Sequence, residues 1–209
     1  MTENDLLLQT ALAYAKRFGW PVFPLAPGAK VPPQGSRSFK DASTDPEKIR
    51  RAWARWPGAN IGLACGAAGL VAIDLDVKGG IDGPGAVNGP GAVNGPGTVN
   101  GLETWRRLVE AHGIDDATLT SRTPSGGRHL LYRCPPGIEI GNSAGALGPG
   151  VDVRGQGGYI VLPPSRLRGG DHPGQYAWQR GDKNRRSAGG TRDAREPAPL
   201  PLPLLALLR

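Results

Sequence analysis

Two aspartates interrupt an apolar, strand-like segment of the chain, LVAIDLDV at residues 70–77. Successive side chains of a β-strand leave opposite faces, so Asp74 and Asp76, two residues apart, project from the same face. Negative charge among Val, Ile and Leu costs free energy unless a cation or strong hydrogen-bond donors balance it. The spacing therefore predicts a metal site on this strand, with a surface ion pair or a capping position as the simpler alternative.

A turn of small residues, TPSGGRH at residues 123–129, leads into another strand-like segment. Glycine allows backbone N–H groups to converge on an anion. This turn is therefore a candidate phosphate-binding site. An ordinary hairpin turn with a surface histidine explains the same residues without any ligand.

A third segment, GVDVRGQGG at residues 150–158, places Asp152 and Arg154 on one face of a strand. A structural ion pair would account for these two charges. Nucleotidyl transfer, however, needs carboxylates that hold divalent ions and cationic groups that bind a triphosphate. Asp152 and Arg154 would supply one of each if the fold brought them beside Asp74 and Asp76.

Hydrophobic periodicity predicts the helices and strands that must position these residues. Helical spacing predicts helices over 5–18 and 102–112, and a capping-box pattern predicts a helix that starts near Pro46. Short apolar segments bounded by Gly or Pro predict strands at 20–25, 60–65, 70–77, 118–123, 128–133, 151–154 and 159–162. The connector GAAG at 66–69 predicts a hairpin between the second and third of these strands.

Two stretches interrupt this pattern. Three tandem hexapeptides, GPGAVN, GPGAVN and GPGTVN, occupy residues 83–100 and are too few for a solenoid, so we interpret them as an insertion without a catalytic role. From residue 179 the composition turns to Arg, Gly, Ser and Pro. We therefore expect a catalytic domain over 1–178, and a linker with a short apolar helical segment over 179–209.

The composition narrows the class of protein. Of 209 residues, 38% are hydrophobic, which is enough for a core. Lys and Arg outnumber Asp and Glu by 25 to 18, and the net charge of +7 favours phosphate-rich partners. Cys65 and Cys134 have no CxxC spacing, which argues against a disulfide framework and a cysteine zinc site. Without a signal-peptide or membrane-span pattern, we expect a cytoplasmic protein with no membrane partner.

The ordered motifs resemble one protein family. Over residues 10–178 the chain resembles the bifunctional DNA primase/polymerase N-terminal domain, the prim-pol branch of the archaeo-eukaryotic primase superfamily, common in plasmids, phages and integrated elements. The resemblance rests on GWPVFPL (19–25), Lys30 with its neighbouring prolines, DASTDP (41–46), WPGANIG (56–62), DLD (74–76), TPSGGRH (123–129), GVDVRGQGGYIVLPPS (150–165) and YAW (176–178).

The resemblance implies an α/β (α+β) prim-pol fold, with an RRM-like catalytic core sheet and an N-terminal α/β module. It implies that Asp74, Asp76 and Asp152 are catalytic carboxylates that bind two Mg²⁺ or Mn²⁺ ions. It also implies a set of nucleotide-binding residues: Ser125, Gly126, Gly127, His129, Arg154 and Lys30. The implied partners are DNA template and primer, nucleoside triphosphates and a separate helicase.

Three functional hypotheses follow. The first is a template-directed nucleotidyltransferase of a mobile-element replication system. The second is a catalytically silent nucleic-acid-binding or replication-initiation module of the same fold, which the repeat insertion suggests. The third, a DxD sugar-nucleotide glycosyltransferase, explains metal and nucleotide binding but not the GGRH and VDVRGQGG segments or the basic charge. The presence of all three acids and the histidine favours the first.

Overall fold

A computed structural model describes residues 2–78, 99–179 and 196–209 of the chain. The repeats at 83–98 and the expected linker at 180–195 lie outside the described residues. Within the described ranges, helices combine with mostly antiparallel strands. This architecture confirms the α+β fold class predicted from the sequence.

The helices begin and end at residues that suit helix termini: α1 is Glu3–Phe18, α2 Pro46–Arg55, α3 Gly101–His112 and α4 Leu202–Leu207. Thr2 and Asp5 form a capping box at the start of α1, and the Asp45 side chain accepts hydrogen bonds from the first turn of α2. Gly19 ends α1 with a left-handed φ of 65°, which glycine adopts without strain. The helices predicted at 5–18, near Pro46 and at 102–112 are confirmed.

The strands are short: β1 is Val22–Leu25, β2 Asn60–Ala64, β3 Leu70–Leu75, β4 Val77–Lys78, β5 Val99–Asn100, β6 Leu119–Arg122, β7 Arg128–Arg133, β8 Val151–Arg154, β9 Tyr159–Leu162, β10 Arg166–Leu167, β11 Gly174–Gln175, β12 Ala177–Trp178 and β13 Ala198–Pro199. An N-terminal sheet has the order β1-β2-β9, and a central sheet has the order β12-β6-β7-β3-β8, with β13 beside β7. Two further pairs, β4 with β5 and β10 with β11, stand apart from these sheets.

An N-terminal module is formed by α1, α2 and the N-terminal sheet. Its core contains Trp53 of α2 and Ile61 of β2, both fully buried. Ala72 of β3 and Leu131 of β7 belong to the same core. The module therefore packs on one face of the central sheet.

The opposite face of the central sheet is covered by α3 and α4. Val71, Ile73 and Leu75 of β3 share a second core with Trp105 of α3 and Leu204 of α4. Alternation along β3 then places Asp74 on the face of the N-terminal module. β3 is therefore buried on both faces, and Asp74 is the position at which its apolar face becomes polar.

The hairpin predicted between 60–65 and 70–77 is wrong. Both edges of β2 are paired, with β1 and β9, and both edges of β3 are paired, with β7 and β8. The connector Gly66–Ala68 is a 3₁₀ turn that carries the chain from the N-terminal sheet to the central sheet. The loop 155–158 carries it back, from β8 to β9.

The two connectors between the sheets lie side by side. The Gly66 N–H donates to the Gly155 carbonyl at 3.1 Å, and the Cys65 N–H donates to the Gly158 carbonyl at 3.0 Å. A Cβ atom on Gly66 would lie 2.6 Å from the Cα of Gln156, closer than carbon atoms can approach. Glycine at this position therefore allows the two connectors to come into contact.

The segment 196–209 packs on the central sheet, a difference from the division at residue 178 expected from the sequence. β13 runs parallel to the end of β7. The Thr118 hydroxyl joins the two strands, since it donates to the Leu131 carbonyl and accepts from the Ala198 N–H. Leu204 and Leu205 of α4 are buried in the second core. The polar composition that precedes this segment gave no signal of a returning strand.

Truncation of Leu204 tests whether the C-terminal segment contributes to the core. Leu204 is 0% exposed and Leu202, two residues earlier, is 78% exposed. We expect Leu204→Ala to lower the free energy of unfolding by about 2–5 kcal/mol, because the variant leaves a cavity. Leu202→Ala, the matched control, should change it by less than about 0.5 kcal/mol. Urea unfolding followed by tryptophan fluorescence gives both values, and equal values would contradict the packing of α4.

Candidate functional site

The register of the central sheet brings residues that are distant in sequence into one row. Asp74 of β3 is directly opposite Asp152 of β8 on one side and His129 of β7 on the other. His129 is in turn opposite Ser121 of β6. Directly opposed residues on neighbouring strands project from the same face. Four polar side chains therefore form one row across the sheet, here called the polar row: Asp152, Asp74, His129 and Ser121.

Cationic and N–H groups surround the two acids of the polar row. Arg154 Nη2 lies 2.7 Å from Asp152 Oδ2, and Arg154 Nε lies 3.7 Å from Asp74 Oδ2. His129 Nε2 lies 3.5 Å from Asp74 Oδ1. The other oxygen of Asp152 accepts the Gly145 N–H at 3.0 Å. Both acidic side chains are 17% exposed, so the site is largely shielded but open to solvent.

Burial controls the protonation of the central pair. Burial raises the pKa of the Asp74 carboxyl group; Asp76 and Asp152 raise it further, whereas His129 and Arg154 lower it. Burial lowers the pKa of His129, which Asp74 and Asp76 partly oppose. A neutral imidazole therefore faces a carboxyl group that ionises with difficulty. An additional cation near Asp74 would favour its ionised form.

Two residues that the sequence analysis did not name as site residues hold His129. Ser121 Oγ lies 3.4 Å from His129 Nδ1, and the ring of Tyr176 stacks on the imidazole with a centroid distance of 5.8 Å. The backbone of Val161 forms a further hydrogen bond to the imidazole. Strand alternation could have indicated Ser121, a serine on the buried face of β6. No local pattern connects Tyr176 with His129.

Asp76 lies where β3, β8 and α3 meet. Its N–H donates to the Gly150 carbonyl and its carbonyl accepts the Gly101 N–H, both at 2.8 Å. A Cβ atom on Gly101 would lie 2.1 Å from the Gly150 carbonyl oxygen, so only glycine fits at the start of α3. The carboxylate of Asp76 is within electrostatic reach of Asp74, whose pKa it raises. Backbone contacts on both sides thus fix the second acid beside the first.

The turn 123–127 closes the hairpin of β6 and β7 beside the end of β3. The Ser125 hydroxyl lies 3.0 Å from the Thr123 hydroxyl, and the Gly126 N–H donates to the Thr123 carbonyl at 3.1 Å. The Gly126 amide is therefore engaged within the turn itself. Gly127 allows the turn to touch the neighbouring strand, because its Cβ would lie 2.2 Å from the Leu75 carbonyl oxygen.

Lys30 lies on the loop that follows β1, with its side chain exposed. Its carbonyl accepts the Tyr159 hydroxyl at 3.3 Å. Tyr159 is within electrostatic range of Arg154. Within the described ranges no ion pair joins Lys30 to the acids. The structure thus brings Asp74, Asp152, His129 and Arg154 together, with Lys30 outside the polar row.

The chemistry of the acids suits a hard divalent cation. Carboxylate oxygens are the ligands that Mg²⁺ and Mn²⁺ prefer, and Asp74 lies within electrostatic reach of both Asp76 and Asp152. Among residues 2–78, 99–179 and 196–209, no group of three or more His, Cys, Asp or Glu side chains is arranged to hold a metal. The positive charge of the Arg154 guanidinium instead balances the negative charge of Asp74 and Asp152.

Fold and site together define a class of protein: an α+β domain with acids, a histidine and an arginine on one face of an antiparallel sheet. The family model described as bifunctional DNA primase/polymerase, N-terminal, matches residues 11–203. The chain therefore belongs to this Prim-Pol family of primase/polymerase-type nucleotidyltransferases. The match confirms the resemblance found in the sequence, and it extends past residue 178, as the packed C-terminal segment does.

Membership in the family implies binding of DNA and nucleotides, and the enzymes of the family generally use divalent metals. No curated protein matches the chain. None of the helices in the described part of the chain is long and apolar enough to cross a bilayer.

Substitution of Gly127 tests the close approach of the turn to β3. The Cβ of Gly127→Ala would meet the Leu75 carbonyl oxygen, so we expect the free energy of unfolding to fall by about 1–3 kcal/mol. Gly141→Ala is the matched control, because a Cβ there meets nothing within 4 Å. Chemical denaturation of both variants measures the difference. A Gly127→Ala protein as stable as the control would show that the turn does not touch β3.

Proposed function

We propose that the chain is a template-directed DNA primase/polymerase that joins nucleoside triphosphates to a 3'-hydroxyl. The observation that carries the proposal is the polar row, in which Asp74 has Asp152 on one side and His129 on the other. Nucleotidyl transfer needs acids for divalent ions directly beside groups for a triphosphate.

In this proposal Asp74, Asp76 and Asp152 hold two divalent ions, Mg²⁺ or Mn²⁺. When bound, the ions would supply positive charge that activates the primer 3'-hydroxyl and stabilises the leaving pyrophosphate. The acids themselves must be ionised to bind, and burial opposes this for Asp74. The binding free energy of the ions therefore has to offset the free-energy cost of ionising Asp74.

His129 contacts the triphosphate in this proposal. Its lowered pKa keeps the imidazole neutral, so it acts as a hydrogen-bond donor rather than as a fixed charge. Ser121 Oγ lies beside Nδ1, and Nε2 is the nitrogen nearest Asp74. Ser125 and the Gly127 amide complete the phosphate contacts, while the Gly126 amide contributes through the shape of the turn.

Arg154 has two roles in the proposal. Without ligands its guanidinium neutralises Asp74 and Asp152, and with a nucleotide bound it turns to the phosphates, which guanidinium groups bind in a bidentate manner. Lys30, exposed on the loop after β1, contacts the phosphates or the template strand. The net charge of +7 would support binding of DNA.

The biological setting proposed here is replication of a plasmid, a phage or an integrated element, in the cytoplasm and with a separate helicase. These details follow from the family resemblance of the motifs. The substrates would be a DNA template, with or without a primer, and nucleoside triphosphates.

One observation favours the alternative of a catalytically silent nucleic-acid-binding or replication-initiation module. Arg154 already pairs with Asp152 at 2.7 Å and approaches Asp74. A partly buried ion pair of this kind can be purely structural. The silent module would bind DNA and show no nucleotide incorporation, so a single extension assay separates the two proposals.

Removal of Asp74 tests the nucleotidyltransferase proposal. We expect Asp74→Ala and the isosteric Asp74→Asn to lower the rate of primer extension by at least about 100-fold, because the central ligand of the site is lost. Labelled nucleotides with primed and unprimed templates, in Mg²⁺ or Mn²⁺, provide the assay. Calorimetric titration with Mn²⁺ should show weaker uptake in both variants.

Glu47→Gln is the matched control, since it removes one negative charge from the exposed surface of α2. It should extend primers like the wild type. A wild-type protein that binds DNA without incorporating nucleotides would support the silent module, and an active Asp74→Asn protein would refute the assignment of Asp74.

Replacement of His129 should have a different kinetic effect. Because His129 contacts the nucleotide rather than the ions, His129→Ala should raise KM for the nucleoside triphosphate by about 10-fold or more and lower kcat less than Asp74→Ala does. Steady-state primer extension at varied nucleotide concentration measures both constants. Thermal unfolding of the variant separates this effect from loss of folded protein. An unchanged KM would remove His129 from the nucleotide site.

A further inference from the structure

Tyr176 is a buried aromatic residue at the site, and the proposed function gives it no role. It immediately precedes β12, is 4% exposed, and its N–H donates to the Ser165 carbonyl at 2.9 Å. Its ring belongs to a small core with Phe23, Leu25 and Val161 of the N-terminal sheet. The position of the ring is therefore fixed by residues outside the central sheet.

The same ring lies against the polar row. Its centroid is 5.8 Å from that of His129, with an interplanar angle of 29°. Tyr176 thus joins the core of the N-terminal sheet to the imidazole beside Asp74. A stacked ring on one face and Ser121 at Nδ1 leave His129 little freedom to reorient.

The hydroxyl group of Tyr176 is the unusual part of the residue. It forms no hydrogen bond with another of the described residues, although the residue is only 4% exposed. Tyr14 provides the contrast within the same protein: its buried hydroxyl donates to the Pro163 carbonyl at 2.8 Å and accepts from Trp178 Nε1 at 2.7 Å. Nearly buried hydroxyl groups are normally partnered, because an unpaired one costs free energy.

The charges around Tyr176 indicate what its hydroxyl can bind. Burial raises the pKa of the phenol, and the nearby carboxylates of Asp74 and Asp76 raise it further. The hydroxyl therefore keeps its proton and is available as a donor.

We propose that Tyr176 is a further nucleotide-binding residue, whose hydroxyl donates a hydrogen bond to a triphosphate oxygen of the incoming nucleotide while its ring holds His129 in place for the same triphosphate. An anionic oxygen is the partner that best suits a neutral donor beside a histidine already assigned to phosphate. The proposal rests on the proposed function, since it deepens the description of that site.

The test compares two conservative variants that remove one hydroxyl each. Tyr176→Phe removes the hydroxyl and keeps the ring stacked on His129. Tyr14→Phe is the control, and it removes a hydroxyl that forms two hydrogen bonds away from the polar row. Calorimetry without DNA gives Kd for a nucleoside triphosphate and for inorganic triphosphate, each with Mn²⁺. Primer extension gives KM and kcat, and urea unfolding gives stability.

We expect Tyr176→Phe to weaken binding of both ligands and to raise KM by about 10–100-fold, with stability unchanged. Tyr14→Phe should lower stability and leave both Kd values and KM unchanged. A wild-type Kd for Tyr176→Phe would overturn the proposal. Weaker binding of the nucleotide alone, without weaker binding of inorganic triphosphate, would also overturn it, because the contact would then be to sugar or base.

The binding measurement separates this proposal from the proposed function. A wild-type protein that binds nucleotide but extends no primer would refute the polymerase activity, and the comparison of Kd values would still decide the role of Tyr176. A wild-type protein that binds neither ligand would refute both.

Discussion

Negative charge held inside a sheet is the constraint on which the rest of this molecule depends. Asp74 is on β3, an inner strand of the central sheet with β7 on one side and β8 on the other, where water cannot fully solvate it. A charge in such a place requires compensation from its immediate surroundings. The antiparallel register supplies Arg154 from one neighbouring strand and His129 from the other. The pairing of β3 with β7 and β8 is thus also an electrostatic requirement.

The junction between the two sheets provides the other half of the site. The chain crosses from sheet to sheet at 66–69 and at 155–158, and Arg154 ends the strand that leads into the second crossing. Glycine permits these crossings to touch, as Gly66 against Gln156 shows. The thiol of Cys65 lies at this junction, where burial raises its pKa to about 12 and keeps it protonated. The N-terminal module is therefore tied to the polar row by backbone contacts as well as by Tyr176.

The structural features that could be predicted from the sequence are those that depend on residues close together along the chain. Helical spacing and caps located α1 to α3, and strand alternation placed Asp74 among apolar residues on a strand whose other face is buried. The partner of each strand depends on distant residues, so the connector 66–69 suggested a hairpin where the chain in fact changes sheet. The short apolar helical segment near the C-terminus was predicted, but its return to the central sheet was not, because the proline-rich sequence before it has no strand pattern.

The site was predictable to the same extent. Asp74 and Asp76 could be recognised as site residues from the sequence, because acidic side chains inside an apolar strand indicate a bound cation or hydrogen-bond donors. Ser121 and Tyr176 carry no such signal, since each acts through His129, which only the folded sheet brings to them. The nucleotide-binding role of Lys30 stays a prediction, because its exposed side chain has no partner in the polar row.

The short ladder of β4 and β5 has a consequence for variation in this chain. Val77 pairs with Asn100 and Lys78 with Val99, and Asn100 also caps α3 through the Glu103 N–H. The two ends of the repeat region are therefore anchored independently of what lies between them. Each doubling of such a connection adds only about 0.6 kcal/mol of closure entropy. Copy number of the hexapeptide can accordingly drift between related proteins while α3 and the second acid keep their positions.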